Sequence, residues 1–443
     1  MSALNTDLYE LTMAAGYFLF NKTDEVATFE LSVRRLPAAR NFLLAAGLEQ
    51  AIDYLLNLRF RAEEIEYLRT LPQFRHTPAE FFDFLANLRF TGDLFAVPEG
   101  TPVFANEPMA IIRAPLIEAQ LVETYLLSTF VFQTMIASKA ARCVLASEGR
   151  PIIEFGSRRA HSPGAGVLAG RAAFVGGCAG TSNAEAGMRF GIPVFGTAAH
   201  SWTMSFRDEE QSFRALQELL GDSTVFLIDT YDTLEGARLA SLLGKPVWGV
   251  RLDSGDLITL SRQVRRILDD AGLHDAKIFA TNDLDEYRVA EFARAGAPLD
   301  AFGIGTQLAT SADAPSLSAV YKLVELRREN ETLYTAKFSD DKSTVPGAKQ
   351  IYRYPDHDVV ALYSECSDKF QGEPLLRPTI IDGKLLQPLP SIGQAQAHAR
   401  KCIAALPERL HSLDEAVPYQ VEVSSRLLEL TEDLRQEFQP AKS

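Results

Sequence analysis

Cysteine is scarce in this chain of 443 residues, which has four, at positions 143, 178, 366 and 402. Their wide spacing excludes a disulfide-stabilised secreted domain and a zinc site built from paired cysteines. Apolar runs are short, and none approaches the roughly 18 residues of a transmembrane helix. The first residues also lack the basic segment and apolar stretch of a signal peptide. We therefore expect a reduced, cytoplasmic protein.

The chain has fewer basic than acidic residues. Lys and Arg number 44 against 58 Asp and Glu, which gives a formal net charge of −14 and a pI near 5.1. Such a charge repels nucleic acids and anionic membranes, so a general polyanion-binding protein is excluded. A small phosphorylated ligand is still compatible, because a pocket needs only a few local cations and N–H groups. The length exceeds that of one ordinary hydrophobic core, so we expect two domains.

Short apolar runs recur between residues 151 and 325, and each is followed by a helix-like segment. Seven such runs are read as strands of βα units: 151–155, 172–177, 192–198, 224–230, 246–254, 276–283 and 301–306. The segment 316–326 can supply an eighth. Eight units predict a (β/α)₈ barrel. An open doubly wound sheet is the alternative, although no G-x-G-x-x-G turn follows any of these strands.

A polar or glycine-rich cluster follows each of these predicted strands. Such residues contribute little to a packed hydrophobic core. Basic, acidic and glycine-containing ends would meet on one rim of a barrel and could hold a phosphorylated ligand. Helix caps are the alternative reading of each single cluster, because Asp, Ser and Asn are favoured there. The clusters are 154–159, 176–177, 197–200, 229–232, 251–256, 281–283 and 303–306.

Nine motifs, in order, together resemble the nicotinate phosphoribosyltransferase family. They are DLYELTMAAGYF, EFGSRRAHSP, GGCAGTSNAEAG, GTAAHSW, LIDTYDT, GVRLDSGDL, FATNDLDEY, FGIGTQLATS and VPGAKQIYR. The resemblance implies transfer of phosphoribosyl from 5-phosphoribosyl 1-pyrophosphate (PRPP) to nicotinate, coupled to ATP hydrolysis in NAD salvage. It also implies an α/β barrel over 118–330, a second α/β domain from 1–117 and 331–443, and a homodimer with shared active sites.

The resemblance also assigns residues to nicotinate. Arg158 would hold the pyridine carboxylate and Phe155 would stack on the ring, both of which suit the chemistry of these side chains. Tyr9, with Asp7 beside it, would reach the partner subunit's pocket. Ser182 stands where related nicotinamide-using enzymes carry an acidic residue, and a neutral hydroxyl does not repel nicotinate.

The remaining roles concern PRPP and ATP. His200 would accept phosphate from ATP as a phosphohistidine, while Asp229, Arg251 and Asp253 would act on the ribose and phosphates. Loss of pyrophosphate develops positive charge on the sugar, so fixed donors and Mg²⁺ are natural stabilisers. We expect Mg²⁺ to be held mainly by the pyrophosphate. Further phosphate contacts would come from Lys139, Asn282, Asp283, Gly305 and Thr306.

One departure from the family and several alternatives are left open. His161 lies where the family has a turn containing Gly and Asp, and we assign it no role. Arg159 and Lys322 are ambiguous. The competing activities are the same transfer to nicotinamide, opposed by Ser182, and quinolinate phosphoribosyl transfer, which has no use for His200. A non-catalytic barrel that binds nucleotide metabolites is a further alternative, as is a phosphosugar aldolase or isomerase.

Overall fold

The structure is a computed structural model that describes residues 2–329, 331–338, 344–365, 369–414 and 416–438. Cys366 lies outside these residues. The chain divides into two compact units. Unit 1 combines residues 1–134 with 316–443, so it takes in both chain ends, and unit 2 is continuous from 135 to 315.

The described residues form nineteen strands, which we number in chain order. They are β1 Val26–Val33, β2 Leu43–Leu44, β3 Asp93–Ala96, β4 Pro102–Val103, β5 Pro108–Pro115, β6 Ile152–Glu154, β7 Gly180–Thr181, β8 Val225–Leu227, β9 Gly249–Leu252, β10 Lys277–Ala280, β11 Ala301–Ile304, β12 Ala319–Arg328, β13 Glu331–Tyr334, β14 Lys349–Arg353, β15 His357–Leu362, β16 Glu373–Pro374, β17 Arg377–Ile381, β18 Lys384–Leu385 and β19 Gln420–Val423.

Sixteen α-helices complete the described part of the chain. They are α1 Leu8–Leu19, α2 Leu48–Leu56, α3 Ala62–Thr70, α4 Ala79–Asn87, α5 Leu116–Leu121, α6 Glu123–Ala146, α7 Pro163–Val175, α8 Ala184–Phe190, α9 His200–Met204, α10 Glu209–Leu220, α11 Thr233–Leu243, α12 Leu257–Asp270, α13 Glu286–Arg294, α14 Thr306–Ala309, α15 Ile392–Ala405 and α16 Ser425–Phe438. Among them, no helix combines the length and the apolar character that crossing a bilayer requires.

Unit 1 is built on a seven-stranded sheet in the order β13-β12-β1-β5-β3-β17-β18, whose neighbours are antiparallel. A four-stranded sheet, β16-β14-β15-β19, accompanies it. The segment predicted as an eighth barrel strand, 316–326, overlaps most of β12, which pairs with β1 in unit 1. That expectation is wrong because the segment makes a long antiparallel pairing rather than following a parallel crossover.

Unit 2 contains a parallel sheet of six strands in the order β7-β6-β11-β10-β9-β8. The first and last predicted strands, β6 and β11, are neighbours, as in a barrel. The described residues nevertheless form an open sheet and not a closed one of eight strands. Between β7 and β8 in the chain, the run 192–198 contributes a single bridge, Val194 to Thr181, and forms no strand.

A second difference concerns the run 172–177, which is mostly helix α7 rather than a strand. Ser162 caps this helix by accepting a hydrogen bond from the N–H of Ala165, and Pro163 occupies its first position, which favours a helix start. A buried helix and a buried strand look alike over six apolar residues. The cap, ten residues upstream, therefore decides the local structure.

Some carboxylates that follow the strands are helix caps, which is the alternative interpretation given above for each polar cluster. Asp232, Asp256 and Asp285 accept hydrogen bonds from backbone N–H groups at the starts of α11, α12 and α13. These contacts satisfy helix N–H groups that have no partner within the helix. The residues that remain for chemistry are therefore those not used as caps.

Candidate active site

A pocket of about 190 Å³ lies in unit 2 at the carboxyl ends of β6, β9, β10 and β11. Ligands bind at this edge of parallel sheets, where the loops after the strands are free to carry function. We call it the strand-end pocket. Three arginines and two aspartates give it an excess of positive charge. Its lining residues are Phe155, Arg158, Arg159, Arg251, Asp253, Thr281, Asn282, Asp283, Gly303, Gly305 and Thr306.

Each of the three guanidinium nitrogens of Arg251 donates a hydrogen bond. Its Nε donates to Thr281 Oγ1 at 2.8 Å, and its Nη1 donates to Thr197 Oγ1 at the same distance. Its Nη2 donates to Asp253 Oδ1 at 2.6 Å. The Arg251 side chain is 11% exposed, so these bonds form in a poorly solvated environment. Arg251 therefore presents a fixed positive charge to the pocket.

Asp253 is the second member of this network. Burial opposes its ionisation, but hydrogen bonds from Thr281 and the charge of Arg251 outweigh burial, so the pKa of Asp253 falls below its usual value. Its second oxygen lies 3.6 Å from Nε2 of His200. A permanent carboxylate therefore stands beside the imidazole.

Asp229 and His200 complete the network. Asp229 Oδ2 accepts hydrogen bonds from the backbone N–H of Asp253 at 2.8 Å and from the hydroxyl of Ser254 at 2.7 Å. Its Oδ1 is buried and has no hydrogen-bond partner among the described residues. His200 begins the short helix α9, and its Nδ1 lies 3.2 Å from Thr230 Oγ1. We call His200, Asp229, Arg251, Asp253 and Thr281 the bonded half of the site.

The other side of the site holds its polar groups differently. Arg158 and Arg159 lie in a short 3₁₀ turn after β6, and both side chains are exposed. Neither guanidinium has a hydrogen bond or ion pair within the part of the chain that the structure describes. Phe155 packs edge-on against Phe279, with ring centroids 5.4 Å apart. Arg158, Arg159, Phe155 and Ser182 form the open half.

Ser182 lies beside this turn through backbone pairing, because its N–H donates to the carbonyl of Glu154 at 2.9 Å. The half-buried Ser182 hydroxyl makes no hydrogen bond with the described residues. Glu154 is fully buried, and its carboxylate accepts from Thr181 Oγ1 at 2.6 Å and from the N–H of Gly156. One carboxylate therefore joins the loop of Phe155 and Arg158 to the loop of Ser182.

The phosphate-binding candidates after β10 and β11 also line the pocket. Asn282 and Asp283 have φ values of +98° and +41°, in the left-handed region that favours glycine. Such strain costs on the order of 1–3 kcal/mol per residue and concentrates at functional sites. Gly305 and Thr306 form the start of α14, where backbone N–H groups point outward. All four residues therefore lie where an anion can be bound.

Two predicted residues are not among those that line this pocket. Lys139 is 1% exposed and makes ion pairs with Glu286 at 2.5 Å and Asp313 at 2.8 Å, so the structure does not bring it to the pocket. A lysine in an apolar helix gives no sequence sign of its partners. Tyr9 belongs to α1 of unit 1, where it is 46% exposed. Partial burial and the nearby negative charge of Glu123 raise the pKa of its hydroxyl. His161 is exposed just before the cap of α7.

Three residues without a predicted role organise the site. Thr281 bonds both Arg251 and Asp253, Thr230 contacts His200, and Glu154 joins the two loops of the open half. Their positions at strand ends were visible in the sequence. Glu154 carries a further signal, since a carboxylate in an apolar strand needs partners to be buried.

Comparison with known proteins agrees with the motifs. The chain matches sequence profiles of the nicotinate phosphoribosyltransferase (NAPRTase) N-terminal domain over 4–130, the NAPRTase family over 151–339 and the C-terminal domain over 356–431. It is 44% identical over 438 residues to a nicotinate phosphoribosyltransferase of Mycobacterium tuberculosis, covering 97% of this chain and 93% of that protein.

Two further relatives agree. A nicotinate phosphoribosyltransferase of Bacillus subtilis is 42% identical over 379 residues, covering 82% of this chain and 76% of that protein. The crystal structure of human nicotinic acid phosphoribosyltransferase has a TM-score of 0.83 at 28% identity, covering 97% of this chain and 99% of that one. The resemblance stated from the motifs is therefore confirmed. The chain belongs to the nicotinate phosphoribosyltransferase family.

Proposed function

We propose that this protein transfers phosphoribosyl from PRPP to nicotinate, forming nicotinate mononucleotide and pyrophosphate, with ATP hydrolysis coupled through a phosphohistidine. The observation that carries the proposal is the strand-end pocket, which combines unpaired arginines with a fixed Arg251–Asp253 network in a member of this family. A site with these two kinds of charge suits substrates that each bring negative charge.

The open half takes nicotinate. Arg158 pairs with the carboxylate, and Phe155 stacks on the pyridine ring. The free hydroxyl of Ser182 donates to the carboxylate, where an acidic residue would repel it. Tyr9 adds a second ring from a partner subunit, so the active protein is a homodimer. The exposed Leu8 and Tyr9 of α1, with the exposed Phe20 that follows this helix, support such an interface.

The bonded half takes PRPP. Arg251 contacts phosphate, and Asp253 orients the ribose, while the loops of Asn282–Asp283 and Gly305–Thr306 bind the 5′-phosphate. Because Arg251 is already oriented by three partners, little reorganisation is needed as charge develops on the leaving pyrophosphate. The pyridine nitrogen attacks the sugar carbon directly, so no protein nucleophile takes part.

His200 takes the phosphoryl group of ATP. Its two ring nitrogens face different groups, the Asp253 carboxylate 3.6 Å from Nε2 and the Thr230 hydroxyl 3.2 Å from Nδ1. The negative charge of Asp253 favours the proton on Nε2, and Nδ1 then accepts a hydrogen bond from Thr230. When ATP binds, the Thr230 hydroxyl turns away, and the Nδ1 lone pair attacks the γ-phosphorus as the bond from this phosphorus to the ADP oxygen breaks. Asp253 thus serves both PRPP and His200, which couples the two steps.

Mg²⁺ would be held mainly by the substrate phosphates. The described residues contain no group of three or more His, Cys, Asp or Glu side chains that could hold a metal ion, and Mg²⁺ prefers substrate phosphates with one or two carboxylates. The buried, unpartnered Oδ1 of Asp229 fits this role. When bound, Mg²⁺ neutralises charge on the leaving pyrophosphate.

The proposal is tested by initial rates with PRPP and Mg²⁺, using nicotinate or nicotinamide, each with and without ATP. We expect nicotinate to react, ATP to accelerate it, and nicotinamide to react far more slowly. Preference for nicotinamide would make the protein a nicotinamide phosphoribosyltransferase. No pyrophosphate release with either substrate would favour a non-catalytic binding protein.

A further inference from the structure

Unit 1 has a pocket of its own, with a volume of about 370 Å³. Its walls come from strands β14, β16 and β17 and from helix α15, and it shares no lining residue with the strand-end pocket. We call it the Arg353 pocket after its most buried cation. Three cations, Arg353, Arg377 and Lys401, and one carboxylate, Glu373, line it.

Arg353 is oriented by Asp358 and keeps one guanidinium nitrogen without a hydrogen-bond acceptor among the described residues. Its Nε and Nη2 donate to Asp358, with the shortest distance 2.6 Å, and Asp358 also accepts from the hydroxyl of Tyr419 at 3.1 Å. Its Nη1 has no acceptor in the described ranges of the chain. Arg353 is thus a rigid guanidinium with an unused donor edge.

Two carboxyl groups lie behind Arg353. Asp358 contacts its Nη2 at 2.6 Å, whereas Glu107 lies 3.9 Å from the same nitrogen. Glu107 is fully buried, and burial together with the charge of Asp358 raises the pKa of Glu107 well above its usual value. Arg377 pairs with Glu373 at 2.9 Å, while Lys401 has no ion pair among the described residues.

A histidine and a thiol also line the Arg353 pocket, where they are exposed to its positive charge. His398 Nε2 lies 3.1 Å from Thr101 Oγ1 and 3.4 Å from Cys402 Sγ, and both His398 and Cys402 line the pocket. Burial and the nearby positive charge of Arg377 lower the pKa of His398. A bound anion would offset this positive field. A pocket lined by three cations and one carboxylate is locally unusual in a chain of net charge −14.

We propose that the Arg353 pocket binds a phosphate-bearing small molecule with a planar ring, of the size of a mononucleotide. Arg353, Arg377 and Lys401 would hold the phosphate, because guanidinium groups match phosphate oxygens in geometry and charge. Tyr354, Leu375 and Leu406 provide the apolar wall for the ring. The volume falls in the usual range for small-molecule sites. This inference does not depend on the proposed function.

The test is protection of Cys402 from a thiol reagent in a full-length Cys366→Ser variant, where the other described cysteines, Cys143 and Cys178, are buried. AMP is the probe. At about 5 mM and a Kd of about 1 mM, AMP would slow the reaction of Cys402 about sixfold. Inorganic phosphate, which lacks the ring, should protect less.

Two variants separate the sites. Arg377→Gln with Lys401→Gln should abolish protection, whereas Arg251→Ala, in the strand-end pocket, should leave it intact. The opposite pattern, or no protection of a reactive Cys402, would overturn the proposal. If Cys402 does not react at all, titration of ¹³C-labelled His398 by NMR decides instead. AMP should move its titration midpoint to higher pH unless Arg377 and Lys401 are replaced, and an unmoved midpoint would refute the site.

Discussion

The two halves of the strand-end site differ in what holds their polar groups. In the bonded half, Arg251 and Asp253 bond each other and Thr281, so their charges are fixed before any substrate arrives. In the open half, Arg158 and Ser182 have no side-chain partner in the described part of the chain. Fixed charges suit a reaction in which charge develops. Free donors suit a ligand that arrives already charged.

The largest expected effect falls on the bonded half. His200→Ala should reduce labelling of the protein by [γ-³²P]ATP to background and remove ATP stimulation, because it deletes only the proposed phosphate acceptor. Slow synthesis without ATP should survive. His274→Ala, which removes an exposed histidine of the same unit, is the control and should label normally. Acid-labile label persisting in His200→Ala would exclude His200 as acceptor.

The open half should respond most to an added charge. Ser182→Asp places a carboxylate near that of nicotinate, and two such charges about 6 Å apart repel by about 3 kcal/mol at an effective dielectric constant near 20. The kcat/KM for nicotinate should fall about a hundredfold, and that for nicotinamide much less. Ser182→Ala controls for loss of the hydroxyl. An equal fall for both substrates would mean that Ser182 does not face the ring substituent.

A third change acts where the halves meet. A Cβ on Gly303 would lie 2.7 Å from a methyl carbon of Thr281 and 2.9 Å from ring atoms of Phe155 and Phe279. Overpacking of this kind costs about 1–3 kcal/mol of folding stability. Because Phe155 and Thr281 must shift to make room, Gly303→Ala should also lower kcat/KM for both substrates. Gly164→Ala, with open space around its Cβ, should leave activity unchanged. Unchanged kinetic constants in Gly303→Ala would show that the pocket accommodates the added methyl group without loss of activity.

The smallest effect concerns positioning by Glu154. Glu154→Gln weakens the hydrogen bonds to Thr181 and Gly156, each worth about 0.5–1.5 kcal/mol. The KM for nicotinate should rise about fivefold, with the KM for PRPP unchanged, because only the open half loosens. Thermal unfolding of the variant separates this from a loss of stability. An equal rise in both KM values would assign Glu154 a general structural role.

The parallel strands were largely predictable, because β-branched and aromatic runs such as 224–230 and 276–283 end in polar residues. The segment 172–177 was not, since the signal that makes it helical lies in Ser162 and Pro163, outside the run. The prediction of a closed barrel was wrong for a different reason. Whether 192–198 pairs as a strand depends on neighbours that the local sequence does not specify.

The site was predictable as a set of residues but not as a network. Strand ends meet at one edge, so the grouping of Arg158, Arg251 and Asp253 followed from the order of the motifs. Which donor meets which acceptor depends on tertiary packing. The sequence therefore did not distinguish the bonded half from the open half. It also did not show that Lys139 forms ion pairs with Glu286 and Asp313.

The central claim is that the open half binds nicotinate and the bonded half binds PRPP. It is tested most directly by the KM values of both substrates in Arg158→Ala and Arg251→Ala. Loss of a charge-assisted hydrogen bond costs about 1.5–3 kcal/mol, so Arg158→Ala should raise the nicotinate KM about 10–100-fold and hardly change that of PRPP. Arg251→Ala should do the reverse. If Arg158→Ala leaves the nicotinate KM unchanged, or if both variants raise both KM values alike, the division of the site is contradicted.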